Sequence, residues 1–126
     1  MVWLAVGVGG AIGSMARHAV NHIVNTHWLA ARFPGGTVAV NLVGCLVIGL
    51  LAGAIAGGRI TVTLYWREFV FVGLLGGFTS FSSFGLDTLL LARTHSVGYA
   101  ALNVVVQVVG GLAAVWLGYR AFIPAA

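Results

Sequence analysis

The stretch "GGFTSFSSF", residues 76–84, places glycines, hydroxyls and phenyl rings together inside a strongly apolar region. Phe78, Phe81 and Phe84 recur every three residues, interleaved with Thr79, Ser80, Ser82 and Ser83. A phenyl ring has a negative face and a positive edge, so a small anion is drawn to the edge. Hydroxyl donors from Ser82 and Ser83, with the amide of Asn41, would replace the water around a strongly hydrated halide without a full positive charge that traps it. Taken alone, the phenyl stripe reads as packing against lipid or a neighbouring helix; its interleaving with hydroxyls favours an ion path. Gly76 and Gly77 permit unusual backbone angles, and Ser or Thr side chains can satisfy backbone groups freed by a broken helix. A break is therefore predicted here, and freed carbonyls would suit a hard cation such as sodium.

Other polar residues also fall where the chain is otherwise apolar. Ser14, Arg17, His18, Asn21 and His22 crowd one region, with Arg17 and Asn21 on one helical face at i, i+4 spacing. They form either a positively charged, wettable wall that attracts an anion or an arginine that snorkels toward headgroups. His18 and His22 have zinc spacing, but no carboxylate lies between them and no Cys or Asp completes a set, so no metal is assigned to them. The Asn41 amide must be bonded, to a neighbouring helix or to a permeating ion. Asn103 and Gln107 are four apart, with Gly111 a turn further, and the same two readings apply.

The elements that carry these residues follow from composition. The chain has 126 residues, is 60% apolar and only 6% charged, and its six basic residues are all arginine against two acids. Soluble domains carry about 25% charged residues, so this is a membrane protein. Its net charge of +4 is too thinly spread for a nucleic-acid surface. A bilayer core of about 30 Å takes roughly 20 helical residues to cross. Four apolar windows of that size occur, near residues 2–24, 36–57, 68–91 and 97–122, giving an all-α, single four-span transmembrane domain over 1–126. The N-terminal window lacks the positive n-region of a signal peptide and reads as the first span. Trp28, Tyr65 and Trp66 fall near span ends, where an aromatic belt belongs.

With four spans, Arg59, Arg67 and Arg120 face one side and Arg32 and Arg93 the other, with Arg17 leaning toward the latter. The positive-inside bias is close to nil, so either the chain inserts both ways up or a single arginine decides its orientation. Gly9 and Gly13, then Gly49, Gly53 and Gly57, recur every four residues as smooth strips for helix packing. "GVGGAIG" lacks the final spacing and the later acid of a dinucleotide fingerprint. Cys45 lies in an apolar run and makes no disulfide within one copy. Polar faces left toward lipid call for a second copy.

"GGAIGSMARH", "PGGTVAVNLVG" and above all "GGFTSFSSF" resemble the Fluc, or CrcB, fluoride channels of microbial membranes, and the similarity covers nearly the whole chain. The resemblance implies an antiparallel, dual-topology dimer with two fluoride paths, the third helix of each copy broken at mid-membrane, in the cell membrane. It implies a central structural sodium ion, not transported, held by backbone carbonyls matching those of Gly76 and Thr79. Phe81 and Phe84 match the ring-edge phenylalanines, Asn41 the pore amide and Arg17 a basic residue near the vestibule, with Ser82, Ser83 and Gln107 expected along the fluoride path. Fluoride concentrated in the cell by acid trapping would leak out down its gradient, relieving its toxicity. Some members carry a hydroxyl ladder on the last helix, where this sequence has Gly111 and Val115, and Gln107 stands near a variable position. Paired copies in some organisms make a heterodimer with a paralogue an alternative to a homodimer.

Two other classes compete. Small multidrug-type, proton-coupled exporters share the length and span number but need a carboxylate in the first span, which has none here; Glu68 and Asp87 lie later. A non-transporting membrane scaffold would explain the glycine strips and leave the hydroxyl and phenyl cluster unexplained. No nucleophile, base and orienting group assemble into an enzyme site.

Overall fold

A computed structural model describes residues 1–27 and 33–123. Its elements are α1 (Val2–His27), α2 (Gly35–Ala56), α3 (Leu64–Arg67), a π-helical segment (Glu68–Leu75), α4 (Gly76–Phe78), α5 (Phe81–Thr94) and α6 (Val97–Arg120). There is no strand among the described residues. Gly35–Ala56, Leu64–Thr94 and Val97–Arg120 are each long and apolar enough to cross a membrane. α1 has 26 residues, but Arg17, His18, Asn21 and His22 dilute its apolar content. It continues to His27 rather than stopping at Val24; the third rod, Leu64–Thr94, which joins α3, the π-helical segment, α4 and α5, begins earlier than Glu68; and α6 ends at Arg120. Trp28 and Arg32 lie outside the described residues.

The sequence writes its own helix ends. After α2, Gly58 adopts φ 67°, a left-handed angle costly for residues with a Cβ. That turn lets Gly58 N–H donate to Ile55 O at 3.1 Å and Arg59 N–H to Ala54 O at 2.8 Å, closing carbonyls that α2 would leave open. At the start of α2, Gly36 N–H donates to Asn25 Oδ1 on α1 at 3.2 Å. α5 and α6 begin at serine caps: Ser83 N–H donates to Ser80 Oγ at 3.1 Å and Tyr99 N–H to Ser96 Oγ at 3.3 Å.

Glycine lets the helices touch backbone to backbone. A Cβ on Gly118 of α6 would stand 2.6 Å from Leu46 O, and one on Gly53 of α2 would collide with Tyr119 O. Between α1 and the third rod, a Cβ on Gly73 would stand 2.8 Å from Val6 O and one on Gly77 2.6 Å from Gly10 O. Helices in lipid associate through such close packing because hydrocarbon offers no hydrophobic gain. The rod thus divides its partners: α1 packs on the π-helical segment and α4, whereas α5 packs on α6, itself packed along α2.

The apolar pattern is turned outward. Val40, Ala54, Leu75, Leu91 and Ala100 are the buried apolar residues, joined by the polar Thr37, Ser80, Asn103 and Gln107. Trp3, Leu112, Trp116 and Val109 are among many large apolar side chains left exposed. Such a surface fits a hydrocarbon solvent, with the polar residues gathered inside.

Candidate functional site

The third rod breaks where the glycines and hydroxyls lie. Thr79 (φ −89°, ψ 160°) and Ser80 (φ −151°, ψ 107°) are extended between α4 and α5. In a continuous α-helix Ser80 N–H would donate to Gly76 O, and Ser83 N–H to Thr79 O. Both donors are diverted. Ser80 N–H donates to Asn41 Oδ1 at 2.8 Å, and Ser83 N–H to the Ser80 hydroxyl. Gly76 O and Thr79 O are thereby released from those helical bonds, and Thr79 O instead accepts Arg17 Nη1–H at 3.2 Å. The break is held from α2 by one amide, since Asn41 Nδ2 also donates to Ser80 O at 3.2 Å.

A groove of about 320 Å³ opens beside this break, bordered by Asn41, Gly76, Thr79, Phe81, Phe84 and Gln107. The Phe81 and Phe84 rings lie 5.4 Å apart at 50°, so they present edges as well as faces. Phe81 is 82% exposed in the single chain, although it is a large apolar ring. α5 starts at the groove, and the partial positive charge of a helix N-terminus favours an anion there.

The groove amides belong to a longer hydrogen-bonded line. Asn41 Nδ2 donates to Gln107 Oε1 at 2.6 Å, Gln107 Nε2 to Asn103 Oδ1 at 2.9 Å, Asn103 Nδ2 to Thr88 Oγ1 at 2.9 Å, and Thr88 Oγ1 to Phe84 O at 2.7 Å. With one hydrogen directed to Ser80 O and one to Gln107, Asn41 commits both N–H bonds to protein. Gln107 keeps a second N–H with no acceptor among the described residues, while its side chain borders the groove.

Among the residues expected on a fluoride path, Asn41, Phe81, Phe84 and Gln107 share this groove. Arg17 reaches the break from α1 through Thr79 O. Ser82 and Ser83 are not in the groove wall. Their hydroxyls turn to Ser80 Oγ, at 3.3 Å and 2.8 Å, because the extended Ser80 brings its own hydroxyl over the first turn of α5. His18 is exposed on α1, and no group of three or more His, Cys, Asp or Glu assembles a metal site among the described residues.

Residues 4–119 match the family described as CrcB-like protein, Camphor Resistance (CrcB). The chain belongs to the CrcB family. It is 47% identical over 117 residues to a fluoride-specific ion channel FluC of Methylobacillus flagellatus, covering 93% of this chain and 91% of that protein. It is 46% identical over 121 residues to the FluC of Opitutus terrae, covering 95% and 91%, and 42% identical over 121 residues to that of Rhodospirillum rubrum, covering 94% and 92%.

For this CrcB chain, sequence reasoning passed over two residues that organise the site. Ser80 caps α5 and exchanges hydrogen bonds with Asn41, and its signal is a serine directly ahead of a helical run. Thr88 ends the amide line, and no local signal marks it, because a threonine in a helix commonly bonds its own i−4 carbonyl.

Proposed function

We propose that this chain is a fluoride-selective channel of the cell membrane, letting fluoride leave the cell passively and so relieving its toxicity. The names of its CrcB relatives support this reading. The observation that carries it is the meeting of two phenyl rings and two amides in one groove beside a helix break. An anion there finds ring edges from Phe81 and Phe84, the remaining N–H of Gln107 and the positive end of α5. None is a full charge, so the anion is held weakly enough to move on. Arg17, bonded to Thr79 O at the break, is a nearby positive charge that raises local anion concentration.

The channel is completed by four spans and by a second copy in antiparallel orientation, with the break at mid-membrane. The exposed Phe81 and the balance of arginines support this assembly. A homodimer is the simpler form, and a heterodimer with a paralogue would use the same surface. Gly76 O and Thr79 O, deprived of their usual helical donors, fit a structural sodium ion, since backbone carbonyls are the oxygen ligands a hard cation takes. Arg17 would have to turn from Thr79 O for that carbonyl to serve, because a guanidinium and a cation repel one another. Sodium would supply fixed positive charge that ties the two breaks together. A proton-coupled exporter fits less well, because the only carboxylates are Glu68 and Asp87, and α1 has none.

Reconstitution tests the proposal. Proteoliposomes holding the purified protein should release fluoride far faster than chloride down equal gradients. Equal release of both ions, or fluoride release no faster than from empty vesicles, would refute the channel.

A further inference from the structure

We infer that Thr88 and Asn103 are positioning residues for the groove, fixing which way the amides of Gln107 and Asn41 face. This rests on the channel reading, and it concerns residues that reading leaves without a role. Asn103 is fully buried and Gln107 nearly so, which leaves protein hydrogen bonds to orient both amides. The line that joins them has an unambiguous direction because each end is a backbone group with a single capability. Phe84 O can only accept, so Thr88 spends its hydrogen on it and must accept from Asn103. Asn103 then has its oxygen toward Gln107, and Gln107 has its oxygen toward Asn41. At the other end Ser80 N–H can only donate, which turns the Asn41 oxygen to it and the Asn41 nitrogen to Gln107. Both ends demand the same orientation, so a flipped amide anywhere along the line sets two donors or two acceptors against each other.

The consequence reaches the anion. With Gln107 held in this sense, its nitrogen and spare N–H lie on the Asn103 side of the amide and its oxygen is occupied by Asn41. Were the Gln107 amide reversed, its oxygen would stand on the Asn103 side and its N–H bonds would meet the donating Asn41 Nδ2, so the donor pattern of the groove wall would change. Thr88 also bonds the carbonyl of Phe84, linking the same line to a residue whose ring borders the groove.

The test uses Thr88→Val, which keeps the branched shape and loses the hydroxyl, and Thr88→Ser, which restores it. Fluoride efflux from proteoliposomes should fall about tenfold in Thr88→Val and return to within about twofold of wild type in Thr88→Ser, on the usual cost of leaving a buried polar group without its partner. The second readout is the side-chain amide NMR spectrum of protein carrying 15N asparagine and glutamine, recorded in lipid nanodiscs without fluoride. Thr88→Val should move the resonances of Gln107 and Asn41 as well as that of Asn103, and Thr88→Ser should bring them back. Resonances of Gln107 and Asn41 that stay in place, or that move while efflux is unchanged, would overturn the inference. Wild-type vesicles that release no fluoride would instead refute the channel reading, and the fluoride-free spectra would still decide whether the line is coupled. If Thr88→Val does not fold, hydrogen exchange on wild type decides: slow exchange of the Asn103 and bonded Gln107 amide protons is expected, and exchange as fast as in a free amide would refute the line.

Discussion

Asn41 is the residue on which most of the groove converges, holding Ser80 at both its N–H and its C=O while supporting Gln107. Asn41→Asp keeps the shape but removes the donor that serves Ser80 O and Gln107, and adds a negative charge beside an anion path. Fluoride efflux should fall by at least about a hundredfold, the loss of a bonded amide and the like-charge repulsion acting together; vesicle efflux measures it, and a wild-type rate would show that the anion does not pass this amide. Ser80→Ala removes the cap of α5 and should lower stability by about 1 kcal/mol, read as an earlier unfolding transition in detergent. An amide in an apolar run demands a partner, which singled out Asn41, Asn103 and Gln107 in the sequence, and the three are joined by hydrogen bonds. The hydrogen bonds of Ser82 and Ser83 were not legible. A hydroxyl can serve either an ion or its own helix, and Ser80, extended at the break, drew both hydroxyls toward itself.

At the level of elements, α2 and α6 are held at a separation that only glycine permits. Gly53→Val would drive its branched side chain into Tyr119 O and force the helices apart. Overpacking a tight contact costs about 1–3 kcal/mol, so the variant should unfold at lower temperature, whereas Gly7→Ala, where a Cβ meets nothing within 4 Å, should be indifferent. Equal melting of the two would show that the close approach at Gly53 does not hold α2 to α6. The break was readable because glycines and hydroxyls cluster at 76–84 in an otherwise uniform rod. The π-helical turns over Glu68–Leu75 were not, since i→i+5 bonding leaves no period distinct from that of an apolar helix. The close approach of Gly73 to Val6 and Gly9 of α1 lies within these turns.

The whole molecule exposes 7964 Å², where a compact soluble protein of 13.0 kDa exposes about 6,300 Å². The excess and the bare Phe81 fit the lipid-embedded, two-copy assembly proposed above. If copies insert in both orientations, variants biased to opposite topologies by moving arginines between loops should each be silent and should conduct when mixed. Conduction by either alone would exclude the antiparallel pair. Removal of sodium should weaken the dimer, as read by size-exclusion chromatography of the purified protein, if the carbonyls at the break hold that ion.

The third rod has a further consequence. Leu64–Thr94 has 31 residues and would measure about 46 Å as a straight helix, against about 33 Å for the 22 residues of α2. The extra length is not hydrophobic: Arg67 and Glu68 stand at one end and Arg93 at the other, and the run between them, 69–92, is close in length to α2. The surplus lies at α3, where Tyr65, Trp66 and Arg67 are exposed and suited to headgroups. Lipids with longer acyl chains would press Arg67 and Glu68 toward hydrocarbon at a cost, so the activity of the reconstituted protein is expected to fall as the acyl chains lengthen.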